Sequence, residues 1–269
     1  MAESVLTPRR PRIDFADADP VWLPIAPRFA HQQNGASLLM PYLEPFLIRV
    51  IKTARVELEE KAPHLVPDVD VFCRQEANHY KLHAAYNREL LQQYPGLDAF
   101  EAEIREDFER FLPERGLEWC LAYSEGFECT GLMYAEFVLE EIDDLMAQGD
   151  PKVAELWRWH LAEEFEHRSV THDVLEALHP GWWRRMRGIH FCSRHLFGFT
   201  GRVKAFMIDL DIERGRLSPE ARDLPSERQL DRRQARFMRP RLMKLLSPRY
   251  DPSIRTMGAN TRKVLASYA

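Results

Sequence analysis

Two Glu-x-x-His motifs constrain the fold of this chain more than any other feature: Glu76 with His79, and Glu164 with His167. An α-helix turns about 100° per residue, so both side chains of each motif lie on one helical face. Apolar residues continue each of these faces at spacings of three and four. Because a buried carboxylate beside a buried imidazole is costly unless it is paired or coordinated, the motifs predict two helices that meet around a shared polar site.

The rest of the chain has a helical pattern as well. Apolar residues recur at spacings of three and four, and no segment alternates as a strand would. Proline and glycine interrupt this pattern and predict helices over 41–61, 67–93, 98–112, 116–147, 151–178, 182–214 and 219–246. The predicted fold class is all-α, a bundle of four long helices with additional C-terminal helices.

Five prolines before residue 36 disfavour regular structure at the start of the chain. The pattern therefore predicts an extended N-terminal arm over residues 1–35. A four-helix metal-binding bundle is predicted over 36–180, and a C-terminal helical extension packed on the bundle over 181–269.

The other two bundle helices each offer a carboxylate on an apolar face. Glu44 is the only acid in the run "LLMPYLEPFLIRVI", and Glu128 shares its face with Leu132 and Ala135. His160 lies one turn before Glu164 on the same face. The resulting order, Glu, Glu-x-x-His, Glu, Glu-x-x-His, is the ligand pattern of ferritin-like dinuclear carboxylate proteins, so the predicted fold is a ferritin-like four-helix bundle with additional C-terminal helices.

Either Glu-x-x-His motif alone is more often part of a solvated face, and the whole set in this order is what favours a metal site. The predicted ligands are Glu44, Glu76, His79, Glu128, His160, Glu164 and His167. Glu125 competes with Glu128 for one position, and His83 is either a further ligand or a hydrogen-bond partner of one. Mixed carboxylate and imidazole ligands favour two iron ions, with manganese as the alternative.

Charge and cysteine usage exclude some classes of protein. A net charge of −5 and a pI near 6.1 argue against nucleic acid as a partner. The four cysteines are far apart and form neither a disulfide framework nor a zinc motif. The chain begins without an apolar leader and has no long apolar run, so we expect a cytoplasmic protein.

Residues 177–208 contain no Asp or Glu but carry several arginines interleaved with aromatic residues. A helix of this kind lies either on an anionic membrane surface or, more commonly, against its own acidic bundle. The second interpretation is favoured, and a membrane surface is the less favoured partner. A homo-oligomer is also compatible with the sequence.

The motifs "QEANHYKLHAAYN" and "WHLAEEFEHRSVTHDV", with Glu44 upstream and "FECTGLMYAE" between them, resemble a bacterial family of predicted metal-dependent hydrolases in the ferritin-like superfamily. The resemblance covers roughly residues 10–215. The run from His160 to His167 is also similar to that of di-iron arylamine N-oxygenases, which use an extra histidine. That similarity implies the same seven ligands, and His83 is a departure from it.

These observations lead to one main functional prediction and two alternatives. The main prediction is a di-iron enzyme that activates dioxygen to oxidise a small organic substrate, which would be apolar, and that needs an electron donor. The first alternative is a metal-dependent hydrolase with a water activated by two metal ions. The second is an iron-oxidising or metal-binding protein without an organic substrate.

Overall fold

The computed structural model describes residues 6–268, and it contains helices but no strand over that range. The predicted all-α class is confirmed, while the ferritin-like arrangement and the division into three regions stay predictions. Residues 6–26 form no regular helix, and they bury Phe15, Trp22 and Leu23 against the helices. Residues 1–5 of the predicted arm lie outside the described range.

The first helix, α1 (Pro27–Lys61), begins well before the predicted residue 41. Pro27 occupies its first turn, where a missing N–H costs nothing, and the helix continues through Pro41 and Pro45. Pro41 cannot donate to the carbonyl oxygen of Ser37 four residues earlier. The side-chain amide of Asn87 donates to that oxygen instead, at 2.8 Å, so a neighbouring helix compensates for the proline.

The next two helices are α2 (Val66–Gln93) and α3 (Leu97–Glu136), and α2 agrees closely with the predicted range 67–93. Helix α3 spans two predicted helices. Its regular geometry is interrupted at Gly116, where φ is 78° and ψ is 169°. Glycine adopts this left-handed φ without the steric cost of a side chain, so the break predicted near this position is present.

The helix predicted over 116–147 ends earlier than residue 147, because a π-helical turn (Phe137–Glu141) follows α3 and leads to the short α4 (Asp143–Met146). The predicted single helix over 151–178 is wrong. It is divided into α5 (Pro151–Glu166) and α6 (Val170–Leu178). The N–H of His167 lies a long 3.3 Å from the carbonyl of Glu163, and Val170 bonds back only three residues, to His167. The chain therefore turns at His167.

The chain ends in three further helices, α7 (Trp182–Glu213), α8 (Pro225–Leu245) and α9 (Ala259–Ala266). The last predicted helix, over 219–246, corresponds to α8, and a 3₁₀ turn over Pro219–Asp223 replaces its predicted start. Helix α1 packs against α2, α3 and α7, and α3 packs against α5, α6 and α7. Among the described helices, none is long and apolar enough to cross a membrane.

Candidate metal centre

The four bundle segments bring all the predicted ligands together in the interior. Helix α1 contributes one carboxylate, α2 a carboxylate and an imidazole, and α3 another carboxylate, while α5 and the turn that follows it supply the rest. Every one of these side chains is buried: Glu44, Glu76, His79, Glu128, His160, Glu164 and His167.

The possible ligand atoms form two overlapping groups. In the first, one ligand atom from each of Glu76, His79, Glu164 and His167 lies within 4.8 Å of all the others. The second group joins Glu44, His79 and His160 by the same criterion. Since His79 belongs to both, the groups form one continuous cluster that is large enough for two metal ions.

Glu128 and Glu125 occupy different surroundings. An oxygen of Glu128 lies 3.2 Å from Nδ1 of His167, which places Glu128 at the cluster. Glu125 is buried too, but its Oε1 pairs with Nδ1 of His172 at 3.1 Å. Neither carboxylate belongs to the two groups of possible ligand atoms found within residues 6–268, so Glu128 is set apart by its contact with His167. The structure thus separates two carboxylates that the sequence left as competitors. Ligation by any of these residues remains a prediction.

Several buried polar atoms in the cluster have no hydrogen-bond partner among residues 6–268. They include both carboxylate oxygens of Glu44, both of Glu76, Oε2 of Glu164 and Nδ1 of His79. Leaving such an atom unsatisfied in the interior costs about 1–3 kcal/mol, and more when the group is charged. Carboxylate oxygens and imidazole nitrogens are ligands for first-row divalent metals, so the residues present fit a metal centre.

The charges inside the cluster also favour a bound cation. Burial, together with repulsion from Glu76, raises the pKa of Glu44 well above its usual range. Burial and the charge of Glu164 do the same to the pKa of Glu128. Burial would raise the pKa of Glu164 as well, but His167 and His160 outweigh it and lower that pKa to about 2. Metal ions would offset the repulsion that the crowded carboxylates experience in the protein alone.

His83 contacts His160 rather than a carboxylate of the cluster. Its Nε2 lies 2.7 Å from Nδ1 of His160, whose own Nε2 faces Glu164 at 2.9 Å. The Nδ1 atom of His83 lies 2.8 Å from the hydroxyl of Ser37, which donates to Asn87. If Nε2 of His160 binds a metal, its Nδ1 carries the proton and donates to His83. The geometry favours His83 as a hydrogen-bond partner of a ligand.

A second outer contact involves Glu163, which is not among the predicted ligands. Its Oε2 lies 3.0 Å from Nε2 of His79, so Nδ1 of His79 is the nitrogen turned toward Glu76 and Glu164. The backbone N–H of Arg9 donates to Oε1 of Glu163 at 2.8 Å. Nothing in the spacing of the sequence signals Arg9, because the contact joins the N-terminal segment to α5.

A cavity of about 760 Å³ lies next to the cluster and is lined by both His160 and Glu164. Its walls come from α1, α3, α5, α7 and α8, and most of the lining is apolar, including Met40, Phe127, Met133, Leu161, Leu196 and Leu230. Gly131 also lines it, and the nearest atom to an added Cβ there would be Oε2 of Glu164 at 3.7 Å. The glycine therefore leaves open space beside the cluster.

Fold and site together define an all-helical protein with a buried carboxylate and histidine centre suited to metal ions. Residues 7–255 match the model of a family described as predicted metal-dependent hydrolases, and the chain belongs to that family. No curated protein and no solved structure matches the chain. The family description supports the hydrolase alternative more than the main prediction of dioxygen chemistry.

Proposed function

We propose that this chain is a dinuclear metal enzyme that acts on a mainly apolar small molecule. The observation that carries the proposal is the buried cluster of carboxylates and imidazoles, with unpaired oxygens, whose members His160 and Glu164 also line a large apolar cavity. A substrate in that cavity would lie beside the metal ions and out of bulk water. A metal site that served only to stabilise the fold would not need a cavity beside it.

The residues around the centre have distinct tasks in this proposal. Glu44, Glu76, Glu128 and Glu164 would supply oxygen ligands, and His79, His160 and His167 would supply nitrogen ligands. Glu163 holds the ring of His79 in one orientation, and His83 holds that of His160. Such outer contacts fix the protonated nitrogen of each ring and keep the other nitrogen free to bind a metal ion.

Hydrolysis is the first candidate reaction, because it is the activity in the family description. Two bound metal ions would supply an activated water and polarise a carbonyl or phosphoryl oxygen. The apolar walls of the cavity favour a substrate with a hydrocarbon portion, such as an ester. The chain's own groups would position that portion and exclude other water molecules.

Oxidation of an apolar substrate by dioxygen is the second candidate reaction. It is favoured by the ligand set, which contains glutamates and histidines but no aspartate and lies on helices or, for His167, in the turn directly after α5. Two single glutamates with two Glu-x-x-His motifs occur in dinuclear carboxylate proteins built on helix bundles, and His160 is an addition to that set. In this case the ions would be iron, dioxygen would be a second substrate, and an electron donor would be required.

Metal analysis after reconstitution tests the centre itself. The apoprotein is loaded anaerobically with Fe(II), Mn(II) or Zn(II), and about two ions per chain are expected. Glu164→Ala should reduce that number, whereas Glu176→Ala, an exposed change on α6, should not. A wild-type protein that binds fewer than about two ions per chain would overturn the dinuclear proposal.

The two reactions are then distinguished with the loaded protein. Cleavage of aliphatic esters or phosphodiesters under anaerobic conditions supports hydrolysis. Oxygen uptake by the Fe(II) form, increased by an apolar substrate and absent with Zn(II), supports oxidation. Each activity should be lost in Glu164→Ala and retained in Glu176→Ala.

A further inference from the structure

Helices α7 and α8 each present a line of exposed cationic and apolar side chains. On α7, the residues Trp183, Arg187, His190, Arg194 and Phe197 lie within about 40° of Trp183 around the helix axis, a set called here the α7 stripe. On α8, the residues Arg232, Arg236, Arg239 and Met243 lie within about 40° of Arg232, and they form the α8 stripe. All nine side chains are exposed.

The α7 stripe is exposed because the opposite face of α7 makes the contacts with the rest of the protein. Helix α7 packs against α1 and α3 through buried residues such as Ile189, Cys192 and Phe199. The acidic bundle therefore covers one side of α7 only. Helix α7 packs against the bundle, as the favoured sequence interpretation expects, and this packing leaves a basic and aromatic side of the helix uncovered.

Large apolar groups are strongly exposed on both stripes. The exposed fraction is 72% for Trp183, 66% for Phe197 and 71% for Met243. Leu242 and Leu246 are exposed beside them. A cluster of exposed aromatic and aliphatic side chains of this kind marks a surface that binds a partner or a membrane.

The arginines of the two stripes lack acidic partners, unlike their neighbours on the same helices. No ion pair within residues 6–268 involves Arg187, Arg194, Arg232, Arg236 or Arg239. Arginines about 100° away from the stripes are paired: Arg184 with Glu118, Arg202 with Glu103, and Arg233 with Glu141. The five unpaired arginines thus lie on the same sides of α7 and α8 that expose Trp183, Phe197 and Met243.

The cavity beside the metal centre reaches the surface at this face. Phe197 from α7 and Leu242 from α8 both line the cavity and are exposed to solvent. Residues deeper in the same cavity include His160 and Glu164. An apolar molecule that enters between α7 and α8, beside Phe197 and Leu242, would therefore reach the cluster without crossing another layer of protein.

From these observations we infer that the face formed by the α7 and α8 stripes docks on an anionic lipid surface. The arginines would lie among the lipid phosphates, and Trp183, Phe197 and Met243 would enter the region between headgroups and acyl chains. An apolar substrate dissolved in the lipid could then pass into the cavity directly. The docking itself requires neither bound metal nor turnover, so its test is independent of the proposed reaction.

Vesicle co-sedimentation tests this inference with the full chain. Binding is expected to phosphatidylcholine vesicles that contain about one quarter phosphatidylglycerol, to be weak with phosphatidylcholine alone, and to fall at high salt as the charges are screened. The double variant Arg194→Glu with Arg239→Glu should bind more than about tenfold less, since each cationic side chain near an anionic surface contributes about fivefold. Arg88→Glu, an exposed unpaired arginine on α2, is the matched control and should bind as the wild type does.

The apolar part of the surface has its own control. Met243→Ser should weaken binding at constant salt, whereas Val56→Ser, which is 70% exposed on α1, should not. The fluorescence of Trp183 should shift to shorter wavelength on binding, and this change should disappear in Trp183→Phe. Circular dichroism and the melting temperature establish that each variant is folded.

Two results would overturn the inference. One is equal binding of the wild type and the double arginine variant to anionic vesicles. The other is a concentration-dependent dimer, detected by analytical ultracentrifugation, that Arg194→Glu and Met243→Ser dissociate without any lipid binding by the wild type. The face would then be an interface between two copies of this chain.

Discussion

Nε2 of His83 lies 2.7 Å from Nδ1 of His160, so the two imidazoles are joined by a hydrogen bond inside the bundle. The hydroxyl of Ser37 donates to Asn87 and therefore accepts from Nδ1 of His83, so Nε2 of His83 is the acceptor and Nδ1 of His160 the donor. Burial and the neighbouring His160 lower the pKa of His83 well below its usual range, so His83 is neutral. Nε2 of a metal-binding His160 then remains unprotonated, and His83 acts as a positioning residue.

His83→Phe should lower metal affinity by about 10–100-fold without removing a metal equivalent, since it deletes an outer contact and no ligand. The measurement is a competition titration with a chromophoric chelator, together with metal analysis at saturation. His64→Phe, at an exposed position, is the matched control. Loss of one whole metal ion at saturation would show that His83 is itself a ligand.

Glu163→Gln should weaken metal binding by about tenfold, because His79 loses a charged acceptor for its Nε2 proton and becomes a poorer ligand. The same titration measures the effect, and Glu155→Gln on the exposed side of α5 serves as the control. Arg9→Ala should have a smaller effect, since the backbone N–H of Arg9 still donates to Glu163. An unchanged affinity in Glu163→Gln would mean that His79 is oriented by other groups.

Glu44→Gln should stabilise the metal-free protein while weakening its metal site. Burial and the charge of Glu76 already raise the pKa of Glu44, so a neutral amide removes an unfavourable charge from the interior. We expect a gain of about 1 kcal/mol in the free energy of unfolding without metal. Thermal melts with and without Fe(II) measure both effects, since the metal should raise the melting temperature of the wild type much more than that of the variant.

Glu60→Gln, an exposed change on α1, should not measurably alter the melting temperature either with or without Fe(II). A metal-free Glu44→Gln protein that melts well below the wild type would contradict the electrostatic interpretation. It would indicate that the carboxylate makes stabilising contacts in the absence of metal.

Gly131→Leu should block the cavity beside Glu164 and leave the fold intact. Leucine has a higher helix propensity than glycine by roughly 0.8 kcal/mol, and the space next to Gly131 is open apart from Oε2 of Glu164. The variant should bind metal and retain its melting temperature, but it should bind an apolar fluorescent dye at least about tenfold more weakly. Gly198→Leu, where an added side chain meets nothing within 4 Å, is the matched control.

Dye binding that is equal in Gly131→Leu and the wild type would place the apolar binding site elsewhere. Loss of metal from the variant would instead show that the new side chain displaces Glu164. Each outcome is read directly from the titration and the metal analysis.

Asp211, which lies outside the metal centre, should make the free energy of unfolding depend on pH. It is buried, and its Oδ2 lies 2.8 Å from Nε2 of His31 and 2.9 Å from the hydroxyl of Tyr94. Burial alone would raise the pKa of Asp211, but the hydrogen bonds and charge of its partners outweigh burial and lower it below 3.8. A carboxyl whose pKa is lower in the folded than in the unfolded protein stabilises the fold at pH values above its unfolded pKa. This contribution is lost as the pH falls toward the folded pKa.

Asp211→Asn should therefore destabilise the protein by about 3 kcal/mol at pH 7, and the difference from wild type should shrink below about pH 4. Chemical denaturation over this pH range measures the difference. Asp209→Asn, an exposed neighbour on α7, should show a much smaller effect. A difference that stays constant down to pH 3 would exclude titration of Asp211 as its cause.

The sequence predicted the helices and the members of the cluster better than their outer contacts. Ligand-type residues on an apolar helical face can be recognised from spacing alone, because the helical repeat converts an offset into an angle. Arg9 could not be recognised, because its contact with Glu163 depends on how the N-terminal segment crosses α5. The extent of α1 was underestimated because the prolines at 41 and 45 suggest a helix boundary, while Asn87 compensates for the first of them.

Local periodicity accounts for the helical character of the chain and for the acidic and imidazole groups on the apolar faces of several helices, because each helix carries that pattern in its own residues. Three features came instead from the packing of the helices: Glu128 lies at the cluster and Glu125 does not, the chain turns at His167, and a cavity adjoins His160 and Glu164. These features depend on distances between segments remote in the chain, which the packing of the whole bundle sets and no local repeat contains.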